Sequence, residues 1–406
     1  MKRENGIKMI QQAFQQGVKM KDISEETAKK YTRCIGNFFN TLDEIRELGF
    51  DKKSRDAYNP KFWKGGWVDK HFNKMYERFH GNGKKPVSGS YIESTAHAFG
   101  KLQQLVNEHD VWKNAGVVKV RVGLKGSIES ESGRLYQNYL HGASASADES
   151  TSIKASDKEY NKILQGIEKV IPKSNPNYQT IKNVIISQRH TGGRITVETN
   201  LKVGDINLTN MTKYYNKDKN DFSRRVPLSN NQKLFYRNLT QGKAKGSPLF
   251  PLFDTNNKQM DKETASKYMQ NIYKKVAESS GLIEKNENGK VISRYTSHST
   301  RRVYAQGLYD STRFTSSKKL DYEIKKYINN QGSNKEGIIE RIQKEKVRLN
   351  YYRIQKGLPM KDFTWNQKRK LLVMLHLGHS RTDICRKSYI VEDLFLCKTP
   401  KKLRKW

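Results

Sequence analysis

Cysteine is scarce: three occur in 406 residues, Cys34, Cys385 and Cys397. They form no paired framework and no metal-ligand spacing, which excludes a disulfide-stapled secreted fold and fits a reducing cytosol. Long apolar runs are missing as well. None approaches the roughly 18 residues that cross a bilayer, and no N-terminal apolar segment marks secretion. The expected location is therefore cytoplasmic, with no membrane partner. Acid is the third shortage: 77 Lys and Arg stand against 41 Asp and Glu, a formal net charge of +36. Such an excess repels itself in a compact chain, and a polyanion relieves the repulsion. Nucleic acid is the commonest such partner, because neutralised phosphates release their counterions. An anionic membrane surface is the rival, and an ordinary lysine-rich solvated surface the plain alternative.

What is present suffices for real cores, at 35% hydrophobic, and the length favours two or three domains. A helix is expected over 7–18, with Ile7, Ile10 and Phe14 on one face. A second follows Ser24 as N-cap, with Tyr31, Ile35, Phe38 and Leu42 at helical spacing. Further helices are expected over 68–79 and 90–107, so the N-terminal third reads as a small helical domain, 1–140. The run His141 to Ser152 is small, polar and aperiodic, and 141–156 reads as a linker. A second domain, 157–406, opens on Ser156 as an N-cap. Helices are expected over 157–170, 178–188 and 194–200. A short antiparallel sheet is expected from Val203–Leu208, Lys213–Asn216 and Arg224–Leu228. Asp261 is expected to cap a helix with Tyr268, Ile272 and Val276 on one face, and helices follow over 298–310, 318–329 and 335–356. The fold class is mainly α with a small antiparallel β-sheet. No internal repeat occurs.

Several residues could carry phosphate chemistry. Arg194 ends Thr191-Gly192-Gly193-Arg194 at a helix start, where an arginine is more often a surface charge. Arg301 is three residues after His298, so both share one helical face; Arg302 is the adjacent alternative. Guanidinium groups offer planar, paired donors that match phosphate oxygens. Two of them on one phosphate would neutralise charge growing in a pentacoordinate transition state. Lys219 lies in the polar turn before Arg224-Arg225-Val226-Pro227-Leu228, where an ammonium can act as general acid; Lys217 competes for that role, and an ordinary charged turn is the default. His379 follows Gly378 after an apolar helix end, a place where histidine usually caps or packs. Tyr389 is the one tyrosine after His379. A tyrosine with the reference pKa of about 10 is ionised only about one part in a thousand at pH 7, so a nucleophilic one needs a base such as His298 and a nearby cation.

The order of these elements is more specific than any one of them: arginine, hairpin lysine, His-x-x-Arg, Gly-His, tyrosine. It resembles the tyrosine recombinase family, also called the phage integrase family, over most of the chain. Thr191 to Arg194 with Leu201 and Asp205 resembles the first arginine box. Lys219 to Leu228 resembles the lysine hairpin, His298 to Arg301 with Ala305 the second box, and Leu377-Gly378-His379 with Tyr389 the third. The resemblance implies a helical, SAM-like core-binding domain and an α+β catalytic domain that together form a C-shaped clamp on double-stranded DNA. By position it implies that Tyr389 attacks a scissile phosphate and forms a 3′-phosphotyrosyl bond. Arg194, Arg301 and His379 would hold its oxygens, Lys219 would protonate the 5′ hydroxyl, and His298 would act as base. Neither metal nor ATP is then required. It also implies a homotetramer on paired DNA sites, a possible accessory directionality factor, and a role in integrating or excising a mobile element or phage in a bacterial cytoplasm.

The chain departs from the family pattern in places. The separation from His379 to Tyr389 is one residue longer than usual. The acid expected three residues after Arg194 is Val197, with Glu198 one place later. Between Arg301 and His379 the stretch 311–368 reads as a helical insertion that could touch DNA, another protomer or another protein. The tail 390–406, with Leu394, Phe395 and Leu396, resembles the segment that docks on a neighbouring protomer in the family, or is a frayed basic end. Two other readings stay open: a non-catalytic DNA-binding regulator that keeps the fold, and a telomere resolvase using the same nucleophile.

Overall fold

A computed structural model describes residues 1–48, 57–63, 65–79, 87–109, 152–153, 155–218, 222–287, 289 and 291–391. Lys219, most of the expected linker and the tail beyond Val391 lie outside the described residues. The chain divides into two compact units, Met1–Glu149 and Ser150–Trp406.

The first unit is helical. α1 (Arg3–Lys19), α2 (Glu25–Leu48), α3 (Gly65–Phe79) and α4 (Gly89–His109) close on Phe14, Ile35, Phe38, Phe99 and Leu102. Ser24 accepts from the Thr27 N–H at 3.2 Å, the N-cap expected of it. Aromatic edges fill the middle: Trp63 meets Phe38 edge-on at 4.9 Å, and its indole N–H reaches the Ala57 carbonyl at 2.8 Å.

The second unit begins with α5 (Asp157–Val170), opened by a capping box between Ser156 and Glu159. α6 (Tyr178–Thr191) and the single turn α7 (Ile195–Glu198) follow. The sheet is antiparallel, in the order β1 (Ile206–Asn207), β2 (Thr212–Tyr215), β3 (Arg224–Pro227), with Tyr215 opposite Arg224. β1 is shorter than the expected Val203–Leu208. Asp205 accepts from the Lys202 N–H at 2.8 Å and winds 203–205 into a 3-10 turn instead. α8 (Asn230–Thr240) and α9 (Lys262–Ser279) come next, the latter capped by Asp261 through the Thr264 N–H at 2.8 Å. A pair not read from the sequence, β4 (Ile283–Lys285) and β5 (Val291–Arg294), leads into α10 (Ser297–Ser311).

The stretch expected to be a helical insertion, 311–368, folds onto this unit. α11 (Ser317–Asn329) is followed by α12 (Lys335–Leu349) and α13 (Tyr351–Gln355). The single helix expected over 335–356 is broken at Asn350. Its side chain donates to the Lys346 and Lys361 carbonyls, at 2.9 and 3.1 Å, and accepts from the Lys361 N–H at 2.8 Å, which turns the chain back. α14 (Trp365–Leu377) then enters the core with Leu371, Leu372, Met374 and Leu375, and α15 (Thr382–Ser388) ends the described fold. The outcome is mainly helical with a small antiparallel sheet, and among the described residues no helix is long and apolar enough to cross a membrane.

Candidate active site

Two left-handed glycines bring the site's segments together. Gly192 (φ 63°) stops α6 and Gly378 (φ 66°) stops α14. A Cβ on Gly192 would sit 2.3 Å from the Tyr304 ring, and one on Gly378 would press on Arg224 at 3.1 Å. Only glycine fits both the backbone and the space.

The carbonyls released at these helix ends are held by Arg301. Its side chain is fully buried; Nη1 donates to the Gly192 carbonyl and Nη2 to the Leu377 carbonyl. Nη2 also stands 3.3 Å from His379 Nε2. A guanidinium can only donate, so His379 Nε2 accepts and its proton lies on Nδ1. The Arg301 carbon is 5.5 Å from the centre of the Tyr389 ring, and the His379 ring is 5.0 Å from it. Tyr389 is the C-cap of α15, with φ −130° and ψ −30°, so it stands beyond the last helical residue. Its hydroxyl lies 2.7 Å from His298 Nε2. Where the hydroxyl donates, that nitrogen is placed to take its proton. Burial lowers the Arg301 pKa; Tyr389 opposes this, while Arg194 and Arg224 add to it. His298, Arg301, His379 and Tyr389, four of the six residues singled out in the sequence, thus form one contact cluster.

Arg194 joins them through a residue the sequence reading missed. Its Nη1 donates to Asp218, whose other oxygen accepts from Arg224 Nη1. The Asp218 side chain is 1% exposed, Arg224 0% and Arg194 19%. Burial would raise the Asp218 carboxyl, but Arg224, Arg194 and Arg301 outweigh it and hold it below the ordinary range. Arg224 also donates from Nε to the His376 carbonyl at 2.9 Å and lies 4.4 Å over the Tyr215 ring. Three guanidiniums therefore surround one carboxylate. Arg301 Nε and Arg224 Nη2 are buried donors with no acceptor among the described residues. The arrangement suits an incoming anion with several oxygens. If Asp218 competes with such an anion, Asp218→Asn should tighten inorganic sulfate binding by about tenfold or more, ~1.4 kcal/mol. Titration calorimetry would detect it, and equal affinities would refute the competition.

Beneath the Arg194 turn lies a closed polar cluster. Lys213, fully buried on β2, donates to Glu198 at 2.7 and 3.0 Å and to Ser187 at 2.7 Å. Tyr215 donates to Glu198 at 2.5 Å, and Ser187 donates to the same carboxylate at 3.0 Å. Burial pulls the Lys213 pKa down to about 8 against the opposing charge of Glu198. The buried acid below Arg194 is thus Glu198, not the residue at Val197. Gly193 packs so closely on it that a Cβ would meet Glu198 Oε1 at 2.2 Å. Lys213 is spoken for, and Lys217 is exposed, its backbone N–H on Ser223 at 3.0 Å. Arg302 donates to the Ser388 and Ser152 carbonyls, both at 2.5 Å, bracing the chain beside Tyr389. A cavity of about 420 Å³ shares Tyr389 and Arg302 with the site, but not His298, Arg301 or His379, so it is a separate recess. Among the described residues no group of three His, Cys, Asp or Glu side chains could hold a metal ion.

Residues 155–313 match the phage integrase family. The match covers the part of the chain from α5 to the end of α10. Arg194, His298 and Arg301 lie inside the matched residues, and His379 and Tyr389 lie beyond them. Among solved structures, the XerA recombinase is similar at 11% identity and a TM-score of 0.32, over 97% of this chain and 95% of that one. XerH bound to palindromic difH substrate is similar at 16% and 0.45, over 70% and 69%. A lambda integrase dimer bound to a COC′ core site is similar at 14% and 0.43, over 73% and 83%. Comparison with curated proteins gives no match.

Proposed function

We propose that this protein is a tyrosine-type, site-specific DNA recombinase. The observation that carries the reading is the Tyr389 hydroxyl 2.7 Å from His298 Nε2, with its ring beside the buried Arg301 and His379. Tyr389 Oη attacks the scissile phosphorus and His298 takes its proton. The bond from phosphorus to the 5′ oxygen breaks, leaving a 3′-phosphotyrosyl link. Arg194, Arg301 and His379 stabilise the charge on the non-bridging oxygens. Lys219 gives its proton to the departing 5′ oxygen. A 5′ hydroxyl from a second strand then gives its proton to Lys219 and attacks the phosphotyrosine, the bond from phosphorus to Tyr389 Oη breaks, and His298 returns its proton to Tyr389, which seals new partners. The bond energy is stored throughout, so no nucleotide is consumed. On this reading residues 1–140 form the core-binding domain, 157–406 the catalytic domain, and a homotetramer on paired sites integrates or excises a mobile element.

The test is a nicked duplex from the ends of the element that encodes the chain. A denaturation-stable adduct whose DNA-bearing peptide contains Tyr389 is the expected product. Sequence-specific binding with no adduct would replace this reading with that of a regulator. The acid role has its own test. Lys219→Ala should cut cleavage by about 10²- to 10⁴-fold on ordinary DNA and regain most of it when sulfur replaces the 5′-bridging oxygen, a leaving group that needs no proton. Rescue of Lys217→Ala alone would move the role to Lys217.

A further inference from the structure

Helix α15 has seven residues and presents Tyr389 at its end. A helix that short is unstable alone, because nucleation costs more than a turn or two returns. Its own N-cap residue, Arg381, has extended backbone and makes no side-chain cap bond. The cap comes from the insertion instead. Glu345 on α12 is buried, and its Oε1 accepts from the Thr382 N–H at 2.9 Å and the Thr382 hydroxyl at 2.5 Å. Arg348 holds the same carboxylate with Nε at 2.6 Å and Nη2 at 2.7 Å, and lies 3.7 Å from Asp383. Carboxylates favour helix N-termini through both hydrogen bonds and the helix dipole.

The same insertion grips the hairpin. Gln331, between α11 and α12, accepts from the Arg225 N–H and donates to the Arg225 carbonyl, both at 2.8 Å. The Arg341 guanidinium lies 3.2 Å over the Phe222 ring, and the Phe222 carbonyl accepts from the Asp218 N–H at 2.9 Å. The inserted helices thus fasten the strand that presents Arg224 and Asp218 to the helix that presents Tyr389.

We propose that Glu345 is a positioning residue: the insertion supplies the N-terminal cap of the tyrosine-bearing helix and so sets where the Tyr389 hydroxyl stands. This rests on Tyr389 being the nucleophile. Misplacing a reacting group by an ångström costs about 10²-fold. Glu345→Ala is therefore expected to slow single-turnover adduct formation about 10- to 100-fold while DNA affinity stays within about twofold. A second readout needs no catalysis. Amide hydrogen exchange over 382–388 should quicken at least about tenfold in Glu345→Ala, with α10 and α14 unchanged. Arg381→Ser gives α15 a cap of its own and should restore much of the rate in the Glu345→Ala background, which general stabilisation elsewhere would not do. Should Glu345→Ala fail to fold, Glu345→Gln keeps an acceptor for Thr382, loses the Arg348 ion pair, and is expected to fall between the two. Unchanged exchange over 382–388 overturns the cap. Faster exchange with an unchanged adduct rate, or no rescue by Arg381→Ser, overturns the positioning role. A wild-type chain that forms no adduct would overturn the nucleophile assignment, while the exchange experiment would still decide whether Glu345 caps α15.

Discussion

On the proposed function, Tyr389→Phe is expected to abolish the covalent DNA adduct, a loss of at least about 10⁴-fold, while DNA binding stays nearly unchanged. The asymmetry follows from what the substitution removes. The ring's packing on Arg301 and His379, at 5.5 and 5.0 Å, does not need the hydroxyl, so a phenyl ring fills the same space. His298 Nε2 loses its partner at 2.7 Å, at a cost to stability of about 1 kcal/mol. No charge changes, so phosphate contacts elsewhere on the basic surface are untouched. An adduct that survives on another residue would remove Tyr389 from the mechanism. Lost DNA binding would mean that the hydroxyl is a recognition group instead.

Glu198→Ala is expected to destabilise the fold by about 3–5 kcal/mol, read from the midpoint of urea unfolding. The carboxylate accepts from Lys213, Tyr215 and Ser187 inside a closed cluster. Removing it leaves the Lys213 ammonium in a dry site with hydroxyls alone for company. The double substitution Glu198→Leu with Lys213→Leu removes both charges and should cost clearly less than the two single changes added together. Activity should fall along with stability, because Gly193 rests on Glu198 and Arg194 follows it directly. A change below about 1 kcal/mol in Glu198→Ala would show that the pair is solvated and that the Arg194 turn is held by other contacts.

The parts of the site that could be read in the sequence were those whose spacing is local or ordered along the chain. His298 and Arg301 share a face because three residues is nearly one helical turn. Gly378 before His379 marks a helix end by its backbone alone. Capping residues Ser24, Ser156 and Asp261 could be read for the same local reason. Arg224 and Asp218 could not. Whether an arginine on a strand points inward depends on register, and register is fixed by the pairing of Tyr215 with Arg224. Nor could Glu198 be read as a buried acid, one place beyond the expected position, until the turn of α7 placed it under Gly193. The insertion could be read as helical, but its partners could not: Glu345 reaches Thr382 across 37 positions of chain, and no periodicity encodes that meeting. The strands β4 and β5 were missed because three- and four-residue stretches carry too little alternation to register.

If Asp218 competes with an anion for Arg194 and Arg224, the site carries an internal rival for its ligand. Tethered between Arg194 and Arg224, it sits at an effective concentration that short loops hold at about the millimolar level or above. A lone phosphate or a small metabolite with one anionic group must outcompete that carboxylate with nothing else to offer. A duplex arrives with phosphates on either side of the reacting one and meets many basic side chains at once. On the proposed function, the hairpin carboxylate would screen by valency, keeping the arginines occupied among small anions and yielding them to a polymer.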